Sequence, residues 1–325
     1  MISSVLYFEK DHRVIFHSNN VKEIRKDFKP GFYQFSLDHE NNILCSTVAM
    51  DEIHTPYRSE TNDEIIKGVM AFFSSRKLKK QINMMGFPHK MGVLLYGRPG
   101  TGKTTLLNYI SHLLFEQQNA IIMMCSSDDS VEASIAMAKS IREIQTNPIV
   151  FIMDEFERFV ANAAREAKIK TFLDGNDSID NCLVLGATNY ISNIPESIGK
   201  RESRIRIMKE ITGVDTQEEV ADIVNEMLNS ADVPASFNRD KLINGIGVGV
   251  TLDSIKSSVI DALMGKKIKS DPGRNQIGFA ASAAPSDEDD YDDQIGEALE
   301  ILFSGSPTIK RANTYRQLGN DSSLD

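Results

Sequence analysis

Between Met91 and about Lys209, five apolar runs (MGVLLY, AIIMMC, IVFIM, CLVLGA and RIRIM) recur between stretches of helical periodicity. Most of these runs lack the apolar–polar alternation of a half-buried strand. A strand that is apolar on both faces must be covered on both faces, so this spacing predicts a parallel sheet with helices on either side. That α/β core is the expected centre of the fold.

Four shorter β-prone runs precede it: SVLYFE, RVIFHS, GFYQFSL and ILCSTV, broken by turn-like residues such as Pro30 and Asn41-Asn42. They predict a small antiparallel β-rich domain over residues 1–60. From Asn62 to Ile82 the apolar positions fit one or two helices, which lead through GFPHK into the core domain, residues 61–210. Thr216-Gln-Glu-Glu219 reads as a capping box opening a helix, followed by helices near Arg239–Asn244 and Leu252–Met264. These form a helical piece over residues 211–269. Residues 270–325 turn to Gly, Ser, Ala, Pro and acid, too little apolar surface to offset ordering entropy, so an acidic disordered tail is expected. Within it Ile295, Ala298, Leu299, Leu302 and Phe303 share one helical face near residues 295–303.

The formal charge is −10, and the tail, with 11 acidic and 4 basic residues, carries most of it. The near-neutral remainder has no evident basic-aromatic cluster, so a nucleic-acid partner is not indicated. No apolar run approaches the roughly 20 residues of a bilayer-spanning helix. The N-terminus also lacks the basic and apolar segments of a signal peptide. A cytoplasmic chain without membrane contact is the expectation. Three widely spaced cysteines, Cys45, Cys125 and Cys182, with no CxxC, argue against a disulfide framework or a zinc site.

The chemistry sits at the ends of the predicted strands. Gly97-Arg-Pro99-Gly100-Thr101-Gly102-Lys103-Thr104, followed by Thr105, matches the phosphate-binding loop G-x-x-x-x-G-K-[ST]. It follows a strand and opens an apolar helix, the context the motif requires. Glycines let the backbone turn its N–H groups toward phosphate oxygens at a helix N-terminus. Lys103 is expected to reach the β- and γ-phosphates, and the Thr104 hydroxyl to bind Mg²⁺. Asp154, after IVFIM, is placed to hold the hydrated Mg²⁺, and Glu155 to orient and polarise an attacking water. Hydrolysis of ATP is therefore expected rather than transfer to another acceptor. The strand CLVLGATN ends at Asn189, within reach of the γ-phosphate in a parallel sheet. Arg201 and Arg204 follow it.

LLYGRPGTGKTT, IVFIMDEFER, LGATN and the R-x-x-R after IPESIG, in this order, resemble the AAA family of P-loop ATPases over about residues 86–267. The resemblance implies an AAA-type parallel-sheet core with a helical lid, a sensor role for Asn189, and a ring of identical subunits, commonly a hexamer. Arg201 and Arg204 would then be arginine fingers acting on the neighbouring subunit's nucleotide. The chain departs from the family pattern at Arg98, where a proline is usual, and at Leu252-Asp253, where the lid has Gly-Ala. It also departs in CSSDDSVEASIAM, which lacks the aromatic-hydrophobic-Gly pore loop used to thread polypeptide. The expected activity is ATP-driven remodelling or disassembly of a protein partner. The alternatives are a DNA-transaction ATPase (loader or helicase-like motor) and a slow nucleotide-dependent assembly switch.

Overall fold

The computed structural model describes residues 9–10, 13–15, 28–39, 42–49, 55–174, 179–230, 233 and 237–265. The expected tail and its apolar segment near residues 295–303 lie outside them. The chain divides into two units, Met1–Asp215 with Val248–Ser254, and Thr216–Gly247 with Ile255–Asp325.

In the first unit the strands are β1 (Glu9–Lys10), β2 (Arg13–Ile15), β3 (Gly31–Leu37), β4 (Ile43–Thr47), β5 (Lys90–Tyr96), β6 (Ile121–Cys125), β7 (Ile149–Met153), β8 (Cys182–Thr188) and β9 (Ile207–Glu210). The helices are α1 (Glu60–Ser74), α2 (Arg76–Met84), α3 (Lys103–Gln118), α4 (Asp128–Ile144), α5 (Ala163–Asp174) and α6 (Glu196–Gly199). One sheet runs β1-β2-β4-β3-β6-β7-β8-β5-β9. The pairings of β6 with β7, β7 with β8, β8 with β5 and β5 with β9 are all parallel.

The uninterrupted apolar runs behave as strand physics requires. Successive side chains point to opposite faces, and both faces are buried. On one face Leu94, Met123, Phe151 and Val184 join Val131, Met137 and Ile141 of α4 and Ile169 and Phe172 of α5. On the other, Val93, Leu95, Ile122, Val150 and Leu183 join Ile65 and Val69 of α1 and Leu106, Leu107 and Ile110 of α3.

The N-terminal strands are antiparallel as expected, but they are not a separate domain. β3 pairs parallel to β6 (Gly31 with Ile121, Tyr33 with Met123) and antiparallel to β4. A β6 edge left bare would expose unpaired backbone groups, and β3 supplies their partners. The joint is packed as well as hydrogen-bonded. Phe35 and Cys45 enter the α4 side of the core, and Phe32 enters the α3 side. The side-chain amide of Gln145 accepts from Phe28 N–H at 2.5 Å and donates to Phe28 C=O at 3.0 Å.

The second unit contains α7 (Gln217–Ser230) and α8 (Arg239–Gly245). Val220, Val224, Leu228 and Leu242 are buried, and the Gln217 side chain donates to the Ile243 carbonyl at 2.6 Å. The helix α9 (Leu252–Leu263) has its first turn in the first unit and the remainder, with buried Ile255 and Val259, in the second. Among the described residues no helix is long and apolar enough to cross a membrane. The three cysteines are buried and free, and burial pushes each thiol up to about 12.

Candidate nucleotide site

The register of the sheet decides which side chains meet. Met153 pairs with Gly186 and Tyr96 with Thr188, so β5, β7 and β8 end along one edge. Gly97, Asp154 and Asn189 therefore leave the sheet side by side, the crevice where open α/β sheets bind ligands.

From Gly97 the chain turns through the loop into α3. Gly97 has φ 146°, and a Cβ there would run into the Ile211 carbonyl oxygen. Only glycine satisfies both conditions. Ser59, Ser75, Ser127 and Asn238 cap their helices with side-chain hydrogen bonds. By contrast, α3 is preceded by Gly102 with no side-chain cap. Its first N–H groups are left for an anion.

Lys103 is 6 % exposed. Its ammonium donates to Gly97 C=O at 2.9 Å and to Arg98 C=O at 2.7 Å, leaving one of its three N–H groups for a ligand. Burial lowers its pKa, opposed by the charges of Asp154 and Glu157. Thr101 is buried and its hydroxyl donates to Arg98 C=O at 2.9 Å, bracing the loop from within. Pro99 is exposed and Thr105 half-buried.

Across the crevice, the Thr104 hydroxyl donates to Asp154 Oδ2 at 2.8 Å, and Asp154 Oδ1 accepts from the Glu155 N–H at 2.9 Å. Both carboxylate oxygens are thus oriented. A hydroxyl and a carboxylate held this close suit a hard cation that keeps much of its water, as Mg²⁺ does. The loop N–H groups and Lys103 suit the phosphates it would accompany. Among the described residues no group of three or more His, Cys, Asp or Glu side chains forms a site for a metal held by protein alone.

Glu155 sits in the left-handed region, φ 51°, which is uncommon for a residue other than glycine. Its Oε2 accepts from Arg158 at 2.8 Å, both side chains being more than half exposed. Such a pair is weak and readily exchanged. Phe156, fully buried, anchors the turn beneath the carboxylates. Its ring lies over Gly186, where a Cβ would stand 2.8 Å from Phe156 Cδ2 and 3.0 Å from Leu94 Cδ1. Gly186→Ala should therefore cost about 1–3 kcal/mol by overpacking, and it should also lower ATP turnover by displacing Glu155. A melting curve and an ATPase assay of the variant check both effects; unchanged values would show that Phe156 shifts freely.

Asn189, exposed, follows Thr188 and leaves the sheet beside Gly97. The two arginines lie elsewhere. Arg204 C=O packs on Gly92, and the next-but-one N–H, of Arg206, donates to Gly92 C=O at 2.9 Å. Gly92 is five strand residues from Gly97, about 16 Å, so neither arginine is placed to reach the loop of its own chain. They also differ from one another. Arg204, expected to act on the neighbouring subunit's nucleotide, is only 7 % exposed. It donates to Asp174 Oδ2 at 2.8 Å and Oδ1 at 3.2 Å, and to the Ser197 carbonyl. Arg201 has a side chain 62 % exposed and one 3.3 Å contact to the same carboxylate. Burial would raise the pKa of Asp174, but the hydrogen bond and charge of Arg204, with the charge of Arg201, bring it below the ordinary value.

Phe156, Arg158 and Asp174 were not singled out by sequence. An aromatic residue following paired carboxylates, with a glycine in the next strand, was the available sign for Phe156. Nothing in the linear order links Asp174 to Arg204. The segment CSSDDSVEASIAM leaves β6 and enters α4 at once, with Ser127 and Ser130 forming a capping box, so it offers no projecting loop.

Residues 93–213 match the family model described as ATPase family associated with various cellular activities (AAA). An ATP-dependent zinc metalloprotease, FTSH 9, chloroplastic, of Arabidopsis thaliana is 28% identical over 184 residues, covering 51% of this chain and 21% of the relative. The proteasome-activating nucleotidase of Methanoregula boonei is 26% identical over 196 residues, covering 49% and 44%. A protein of Bifidobacterium adolescentis described as an AAA ATPase forming ring-shaped complexes is 24% identical over 174 residues, covering 46% and 33%. The chain thus spans less than half the length of each of these relatives. The matched segment is the one whose strand ends build the crevice, and over residues 93–213 the chain carries an ATPase core of the AAA type.

Proposed function

We propose that this chain hydrolyses ATP to ADP and phosphate in an oligomeric ring and uses the cycle to remodel a protein partner. The observation that carries the reading is the 2.8 Å contact between Thr104 and Asp154, with Lys103 and Glu155 adjacent in sequence to each. It joins the phosphate loop to the carboxylate pair across a sheet whose β5 and β7 are not neighbours.

The loop N–H groups and Lys103 would hold the β- and γ-phosphates. Mg²⁺, carried near Thr104 and Asp154, would neutralise charge on them. Glu155, once parted from Arg158, would orient and polarise the attacking water, with Asn189 beside the γ-phosphate as a second polar contact. Arg201 would complete the neighbouring subunit's site. In this reading Arg204 is a positioning residue that ties α5 to α6 under Arg201.

Assembly is supported by the ring-forming relative, and by arginines that lie too far from their own loop. A protein client is supported by the metalloprotease and the proteasome-activating nucleotidase among the relatives. Threading through a pore loop is not part of the proposal, because the segment after β6 is consumed by α4. The test is capture with the full chain carrying Glu155→Gln, in ATP, with and without nuclease. Recovery of one defined protein, unaffected by nuclease, is expected. Loss of all bound material on nuclease treatment would overturn the protein-client reading in favour of a nucleic-acid transaction.

A further inference from the structure

The segment Val248–Ser254 returns to the first unit and lies on the phosphate loop. Val214 and Val250 exchange a β-bridge, and the Asp253 N–H donates to Gly100 C=O at 3.2 Å. Two side chains of the first α9 turn then cover two loop glycines. Leu252 Cδ1 is 2.9 Å from where a Cβ on Gly102 would be, and Asp253 Oδ2 is 2.6 Å from where one on Gly100 would be. Asp253 thus places a carboxylate in the space of a side chain that the loop itself cannot carry. Among the described residues no Lys or Arg pairs with it.

The distance to a bound phosphate is bounded by these contacts. A phosphate oxygen accepting from the Gly100 N–H would be about 2.9 Å from that nitrogen. Adding the step from nitrogen to Cβ and the 2.6 Å to Asp253 leaves the two negative groups at most about 8 Å apart. That is within the screening length at physiological salt. The repulsion acts on every charge of the phosphate chain and opposes the attraction that Lys103 and Mg²⁺ exert on the same phosphates.

We infer that Asp253 sets the residence time of the nucleotide: it weakens the hold of the loop on the phosphates and speeds release of ADP. The inference rests on the nucleotide-binding reading above and goes beyond it. Asp253 is itself exposed, so water and salt damp the repulsion and its effect is salt-dependent. The acid would make product release fast, so that the cycle is limited by other steps.

The experiment is stopped-flow binding of fluorescent ADP and ATP analogues with Mg²⁺ to the full chain. Asp253→Asn should bind ADP about tenfold more tightly, mainly through slower release. Asp253→Glu, which keeps the charge, should stay near the wild-type value, and the wild-type gap from Asp253→Asn should shrink as salt is raised. Lys103→Ala separates nucleotide binding at the loop from the effect of Asp253. If the wild-type chain fails to bind, or Lys103→Ala binds equally well, the nucleotide reading itself falls. If binding requires Lys103 while Asp253→Asn is unchanged or weaker than wild type, the inference falls and the site stands. Weaker binding would identify Asp253 as an acceptor for a nucleotide hydroxyl instead.

Discussion

Glu155→Gln should retain ATP and lose its hydrolysis by a factor on the order of 10² to 10⁴, the contribution of a positioned general base. The amide keeps the size of the side chain and can still contact a water. It cannot accept the proton, and it no longer carries the charge that polarises the nucleophile. Glu155 is more than half exposed and its partner Arg158 equally so, so the substitution leaves little unpaired and the fold should persist. The measurements are phosphate release at saturating ATP and equilibrium binding of the same nucleotide. Binding intact with turnover lost is the expected pair; turnover near wild type would remove Glu155 from the reaction.

The second large effect separates two arginines that look equivalent in the sequence. Arg201→Ala should leave thermal stability almost unchanged and cut turnover by about 10³-fold or more, as loss of an arginine finger does. Mixing it with Lys103→Ala protein should restore part of the activity, since a hybrid interface then pairs an intact loop with an intact Arg201. No recovery at any ratio would count against action across subunits. Arg204→Ala should behave differently. Its guanidinium is buried against Asp174 and the Ser197 carbonyl, and removing it leaves a carboxylate that is only 22 % exposed without its main partner. Loss of one member of such a pair costs about 2–3 kcal/mol after allowance for this partial exposure. A lowered melting temperature is expected before any effect on turnover. Equal melting temperatures for the two variants would show that Arg204 is not the clamp described here.

The core of the fold was legible because its signal is local. Apolar runs such as Ile149–Met153 are buried on both faces, and runs of this kind predict buried parallel strands. The phosphate loop was legible for the same reason: glycines, a lysine and a threonine at fixed offsets between a strand and a helix. The N-terminal strands were visible as strands, but their attachment was not. Whether Gly31–Leu37 closes its own sheet or extends another depends on the free edge of β6, roughly ninety residues away. The same limit applies to Arg204, because its partner Asp174 is thirty positions upstream.

By itself, then, the order of residues determined the chemistry this chain can carry: an anion-binding turn, an acid pair after a buried strand, and an α/β core to hold them. Those choices depend on residue type and short spacing, which folding does not alter. Tertiary structure decided which like residues do unlike work. Burial and a carboxylate made Arg204 a clamp and left Arg201 outside; a return of the chain to the phosphate loop set Asp253 over Gly100. These are pairings between distant segments, and their energies depend on distances that exist only once the sheet has formed.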